Sequence, residues 1–278
     1  MIQAFLAAIS QTGGIIIDKI VLTRRQMEIH VFIPLVFMFL FLLSAILFPF
    51  LGTVKLDLFN LNEILLFVAM IVTAIVWNIF YYKGVQAEKV HEYESIIMFQ
   101  PLLTVALAAL VFGSERNIHV LIAAVVAAVA LIYSRAEKKH FEFGQGSIYL
   151  LIAVVLMSVE LILTKPLLTV FSPVAFYFFR TIIMFVFFYF YYRPQLTKVS
   201  TTNAWLVLLT CVFGTVQMVS KYYGFETLGI VYTSLVLMLA PILVYIISTI
   251  WLHERIKFRL TAATIIIFLC VVYATFIR

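Results

Sequence analysis

Apolar residues in this chain gather into long runs, and the polar segments that interrupt them are short. The runs fall at about 2–22, 29–50, 62–82, 90–112, 117–134, 146–169, 173–192, 204–223, 228–251 and 258–277. Between them lie segments such as Thr23-Arg24-Arg25-Gln26, Arg135 to Gly146, Arg193 to Asn203 and His253 to Arg259. A helix needs about 20 apolar residues to cross the hydrocarbon core of a bilayer, whereas a barrel strand needs about half as many. A spanning backbone must also satisfy its own hydrogen bonds. The pattern therefore predicts an all-α membrane protein of ten transmembrane helices.

One stretch is written twice. A shift of 140 carries residues 81–101 onto 221–241 and aligns Tyr82 with Tyr222, Gly84 with Gly224, Met98 with Met238 and Pro101 with Pro241. Each copy is followed by an apolar run closing on an acidic-basic pair, Glu115-Arg116 and then Glu254-Arg255. Upstream, a shift of 146 aligns Ile16, Lys19, Leu22 and Thr23 with Ile162, Lys165, Leu168 and Thr169. Two echoes in the same order imply two homologous halves, 1–140 and 141–278. Five helices per half is an odd number, so the second copy must enter the membrane upside down. Inverted repeats of this kind are a transporter architecture.

Composition narrows the class. Hydrophobic residues make up 65% of the chain and charged residues 12%, against roughly a quarter charged in soluble domains; the mean hydropathy is +1.14. The net charge of +6 would suit nucleic acid, but the basic residues sit in loops between apolar runs, as they do where a membrane protein meets the cytosol. We therefore expect no nucleic-acid partner. Lys and Arg of loops one, three, five, seven and nine outnumber Lys55, Arg116 and Arg278 on the other side, which places both termini outside. Cys211 and Cys270 fall inside apolar runs and imply no disulfide framework. The first run has no basic region before it and its continuation matches the second half, which argues against a cleaved signal peptide.

Helix contacts and bends are also foreseen. Ala123, Ala124, Ala127 and Ala128 form small-xxx-small pairs, suited to close packing within the half or to a homodimer contact. Gly13-Gly14, Pro101, Pro166 and Pro241 are places where a helix could bend or unwind.

Charges in mid-span are costly, about 2.5–3.5 kcal/mol on insertion scales, and mark a pathway or a pair. Glu160 lies near the centre of run six and is a candidate for proton coupling or solute binding, with structural pairing as the competing account. Arg180, eight residues into run seven, is a candidate for solute binding, with structural pairing as the competing account. Lys221 is a further solute-binding candidate; it lies near a helix end, where the competing account has its stem snorkel to the interface. Glu92 shares a helical face with Phe99 and Gln100, and is the second proton-coupling candidate. Gln11, Thr12, Trp77, Asn78, Tyr81, Gln100, Ser158, Gln217 and Tyr232 complete the predicted solute-binding set, as groups able to hydrogen-bond or stack on a ligand. Asp18 and Lys19 diverge by about 100° on a helix and suit an interface better. The string His91-Glu92-Tyr93-Glu94-Ser95 is not a HExxH site, and phosphate loops, nucleophile elbows and Cys/His clusters are missing from the sequence. No enzyme, cofactor or metal is expected.

The residues that recur between the halves carry a family resemblance. Tyr82, Gly84, Pro101 and Glu115-Arg116, then Tyr222 or Tyr223, Gly224, Thr233, Ser234, Pro241 and Glu254-Arg255, resemble the pattern of EamA-type members of the drug/metabolite transporter superfamily. The run SPVAFYFFR, ending at Arg180, resembles that family's arginine in the second helix of a repeat; in the first half Pro34 stands at the equivalent place. The resemblance implies a ten-helix carrier exporting or exchanging small metabolites such as amino acids, with its termini in the cytosol, the opposite of the side that the loop charges give, so both orientations stay open. The expected partners are a small-molecule solute and membrane lipid, and the expected location is the cell (inner) membrane. A lipid or head-group transporter or scramblase is the alternative function, and a non-transporting scaffold the third.

Overall fold

The computed structural model describes residues 1–19, 21, 27–58, 60–87, 96–97, 99–135, 144–195, 199–240, 243 and 258–277. Ten α-helices occur among them: α1 (Ile2–Lys19), α2 (Ile29–Leu51), α3 (Leu61–Ala87), α4 (Gln100–Val111), α5 (Ile118–Arg135), α6 (Gln145–Leu167), α7 (Pro173–Tyr192), α8 (Thr201–Leu228), α9 (Ile230–Leu237) and α10 (Phe258–Ile277). Each lies on one of the ten apolar runs. Five of them, α2, α3, α6, α7 and α8, are long and apolar enough to cross a membrane by length and composition, and shorter apolar helices lie in α1, α4, α5 and α10.

The helices gather into two compact units, each drawing on both ends of the chain: residues 1–65 with 167–226, and residues 66–166 with 227–278. In the first unit, α2 and α7 zip together through aromatic rings. Phe37 stacks on Phe188 with centroids 5.2 Å apart, Phe41 on Phe185 at 6.1 Å, and Phe48 meets Phe178 at 4.6 Å. Between them the Ser44 and Thr181 hydroxyls share a 2.9 Å hydrogen bond. Residues 37, 41, 44 and 48, and 178, 181, 185 and 188, are spaced to share one face of each helix. Rising numbers on α2 meet falling numbers on α7, so the two run antiparallel. Aromatic pairs of this kind contribute about 0.5–1.5 kcal/mol each beyond their buried area.

Ser172 starts α7. Its Oγ accepts from Ala175 N and Thr53 N and donates to the Leu51 carbonyl, which ties the helix start to the end of α2, and Pro173 occupies the first turn, where a missing N–H costs nothing. Gly13 and Gly14 lie within an unbroken α1. A Cβ on Gly13 would come within 2.8 Å of the Phe213 ring on α8, so this glycine serves a close helix approach and not a bend.

In the second unit, α3 and α6 run antiparallel, with Phe80 against Tyr149 and Trp77 against Glu160. α4 lies beside α6 in the same direction, since Gln100 meets Ser158 and Glu115, just beyond α4, meets Lys165. α5 packs on α10 with its first turn near α10's last, where His119 Nδ1 and the Tyr273 hydroxyl lie 3.2 Å apart. Ala123, Ala124, Ala127 and Ala128 are all buried within this single chain, on the helix that packs against α10, α9 and α4. Pro101 stands in the first turn of α4, and Pro166 in the last turn of α6. Pro241 lies outside the described residues.

Candidate functional site

Lipid-crossing helices expose few polar groups cheaply, so the buried polar contacts of each unit are where function is sought. In the second unit α3 and α6 bring together Trp77 and Glu160. The indole Nε1 donates to Glu160 Oε2 at 2.6 Å, and Glu160 is only 4% exposed. Glu160 belongs to a helix whose backbone is complete, with Thr164 Oγ1 donating to the Glu160 carbonyl at 2.8 Å. Tyr81 stands one turn beyond Trp77 and meets its ring edge to face at 6.2 Å. A carboxylate beside an indole and a phenol can hold an ammonium group, by charge and by the ring faces, or can carry a proton.

A second polar string lies where α4 faces α6. Ser158 Oγ donates to the Gln100 carbonyl at 3.3 Å and receives from Thr104 Oγ1 at 3.2 Å, while Gln100 Nε2 donates to Thr104 Oγ1 at 3.3 Å. Thr104 was not among the sequence candidates; its signal was its place one turn after Gln100. Asn78 is buried and donates to the Ala74 carbonyl on its own helix at 2.8 Å. Tyr232 is engaged elsewhere, sharing a 2.7 Å hydrogen bond with Thr275 that joins α9 to α10.

In the first unit the candidates are spread over α1, α7 and α8. Thr12 turns back to the Ala8 carbonyl at 2.9 Å, and Gln11 and Gln217 are half-buried. Lys221 places its Nζ 5.8 Å from the Phe225 ring centroid, and Arg180 is buried. Glu92 lies outside the described residues, as do Glu88, Lys89, His91, Glu94 and the Glu254-Arg255 pair.

The Glu115-Arg116 pair divides its work between two helices. Arg116 Nε and Nη2 donate to the Ala109 and Leu110 carbonyls at 2.9 and 3.0 Å, closing the C-terminal end of α4, where a cation also suits the helix dipole. Glu115 reaches forward to the second half. Its two oxygens accept the first N–H groups of α9, Ile230 N at 2.9 Å and Val231 N at 3.1 Å, and Lys165 of α6 pairs with Oε1. The lysine also lies 4.8 Å from the centroid of the Phe112 ring. Gly229 makes this approach possible. Its φ is +85°, and a Cβ there would come within 2.7 Å of the carboxylate. Gly229→Ala should therefore destabilise the protein by about 1–3 kcal/mol, read as a lowered melting temperature of the purified protein.

A family model described as the EamA-like transporter family matches residues 1–135 and 144–276. No curated protein is similar enough in sequence to match. One solved structure, described as a crystal structure of a protein, aligns at a TM-score of 0.78 with 13% identity, over 99% of this chain and 97% of its own. At that identity the likeness is one of fold.

Proposed function

The chain belongs to the EamA-like transporter family, and on that premise we propose that it is a secondary transporter moving a small polar or zwitterionic, amino-acid-like metabolite by alternating access, as an exporter or exchanger. Family and apolar helices together make it an integral, multi-pass membrane protein of the drug/metabolite transporter type. The finer reading adds ten crossings in two five-helix repeats, 1–140 and 141–278, inserted in opposite senses.

Support for the inversion comes from which helices pair. α2 and α7 are equivalent under the shift of 146 and run antiparallel; α5 and α10, the last helices of the two halves, meet first turn to last. Equivalent helices that pack head to tail are what a two-fold axis lying in the membrane plane produces.

The observation that carries the solute reading is the Trp77–Glu160 pair, an embedded carboxylate that accepts from the Trp77 indole N–H, with Tyr81 beside that indole. The test is counterflow in proteoliposomes preloaded with a mixture of unlabelled amino acids. Accelerated entry of labelled amino acid, relative to protein-free liposomes, is expected. Scrambling of a labelled phospholipid with no amino-acid counterflow would replace the solute carrier by the lipid carrier.

A further inference from the structure

Residues 193–200 join the end of α7 to the start of α8, so both lie at one end of the first unit. Tyrosines crowd there. Tyr191 and Tyr192 follow Phe187 and Phe188 by one helical turn and stack on them, with centroids 5.6 and 5.9 Å apart. Tyr189 and Tyr191 are exposed, as is Trp205 on α8, and among the described residues these are all the exposed tyrosines and tryptophans of the first unit. The far end of α2 exposes Phe50 and Leu51 instead.

Arg193 closes α7. Its φ of +47° and ψ of 56° are left-handed, and its N–H donates to the Tyr189 carbonyl at 2.9 Å. Glycine is the usual residue at such a place, because a Cβ is unfavourable in that conformation. A cation there can serve its own helix by bonding the last carbonyls, as Arg116 does for α4. Arg193 does not. It is exposed, and among the described residues its guanidinium has no hydrogen-bond or ion-pair partner. The same holds for the Tyr189, Tyr191 and Tyr192 hydroxyls and the Trp205 indole N–H. Five groups able to donate stand at one end of the unit with no protein acceptor.

The neighbouring surface says what accepts from them. Exposed apolar residues lead away from the aromatic end along both helices, Val186 and Ile183 on α7, then Leu209 and Val212 on α8, at the spacing of one helical stripe. On the other side lies the start of α2, which is antiparallel to α7 and carries an exposed Glu28–His30 pair at 3.2 Å. The aromatic rings thus stand between a hydrocarbon-like face and a charged one. Tyrosine and tryptophan are enriched at that boundary in membrane proteins, and arginine extends its head from an apolar stem toward it.

We propose that the α7–α8 end of the first unit lies in the head-group layer of the bilayer and that Arg193 binds the phosphate of a phospholipid there. The guanidinium fork matches two phosphate oxygens, while the hydroxyls and the indole N–H donate to the ester carbonyls of the lipid. This placement needs only a membrane-spanning chain and holds whatever solute is carried.

Depth is read from Trp205 in the intact chain, reconstituted in phospholipid brominated either just below the head group or near the chain ends. The fluorescence lost by the wild type minus that lost by Trp205→Phe is the Trp205 signal. Bromine near the head group should quench it more. Stronger quenching from the chain ends would overturn the placement, and quenching by neither would mean that protein, such as a second copy, covers Trp205, which overturns it too.

The phosphate is tested by melting the detergent-purified protein with phosphatidylglycerol or with diacylglycerol of the same chains, at equal mole fraction. Phosphatidylglycerol should raise the melting temperature more, since a ligand that binds only the native state raises apparent stability. Arg193→Gln should weaken the phosphatidylglycerol dependence about fivefold. Arg193→Gly should weaken it equally, yet melt no lower than the wild type in detergent alone, because glycine adopts a positive φ freely. An equal response to diacylglycerol, an unchanged response in Arg193→Gln, or soluble glycerol phosphate acting as well as the lipid would overturn the phosphate site. So would an Arg193→Gly protein that melts lower without lipid, because the arginine would then be serving the protein itself.

Discussion

Glu115→Ala should lower the stability of the purified protein by about 3–5 kcal/mol, the range for removing one partner of a buried ion pair. The substitution has three consequences at once. Lys165, whose side chain is 21% exposed, loses its carboxylate. Ile230 N and Val231 N at the start of α9 lose their acceptors. Removing a cap of that kind costs about 1 kcal/mol by itself. Glu115→Gln keeps an acceptor but not the charge, and should fall between the wild type and the alanine variant. Lys165→Met should restore part of the loss in the Glu115→Ala background, since removing both charges is milder than stranding one. Melting curves of the wild type, Glu115→Ala, Lys165→Met and the double variant form a double-mutant cycle whose coupling term isolates the pair. A Glu115→Ala protein melting within about 0.5 kcal/mol of the wild type, the scatter of surface substitutions, would show that the pair holds nothing in place.

That pair also marks where sequence reading stopped. Hydrophobic runs placed a helix on each run, α7 and α10 matching at both ends and α4 and α9 filling only part of theirs among the described residues, because an apolar stretch favours a helix and polar residues gather at its edges. The internal shift proposed which helices correspond, and the family model matches the chain in two stretches, 1–135 and 144–276. Neither signal could place Glu115, which reads locally as punctuation after α4 but reaches a helix start 115 residues further on. Its legible trace was Lys165, a cation at the end of an apolar run that needed an acid from somewhere. Of the predicted site, Trp77, Tyr81 and Glu160 come together, as do Gln100 and Ser158. Tyr232 is drawn to Thr275, because its ring lies on the α9 face that meets α10.

Glu160→Gln separates the two accounts of the embedded carboxylate. The amide has the same shape and can still accept from the Trp77 indole through its oxygen, so the melting temperature should stay close to that of the wild type. The ability to take up and release a proton is lost. If Glu160 couples transport to protons, accumulation of labelled amino acid driven by an imposed pH gradient should fall to the level of protein-free liposomes, while exchange of solute for solute continues. Trp77→Phe tests the other side of the pair. A hydrogen bond to a charged acceptor contributes about 1.5–3 kcal/mol, so this variant should melt lower and retain gradient-driven accumulation at reduced rate. A purely structural pair predicts the opposite division, with Glu160→Gln still accumulating solute against its gradient. That outcome would leave the carboxylate as a packing element and move the search for the coupling group to the other half of the repeat, because a carrier driven by protons must hold one somewhere along the solute's route.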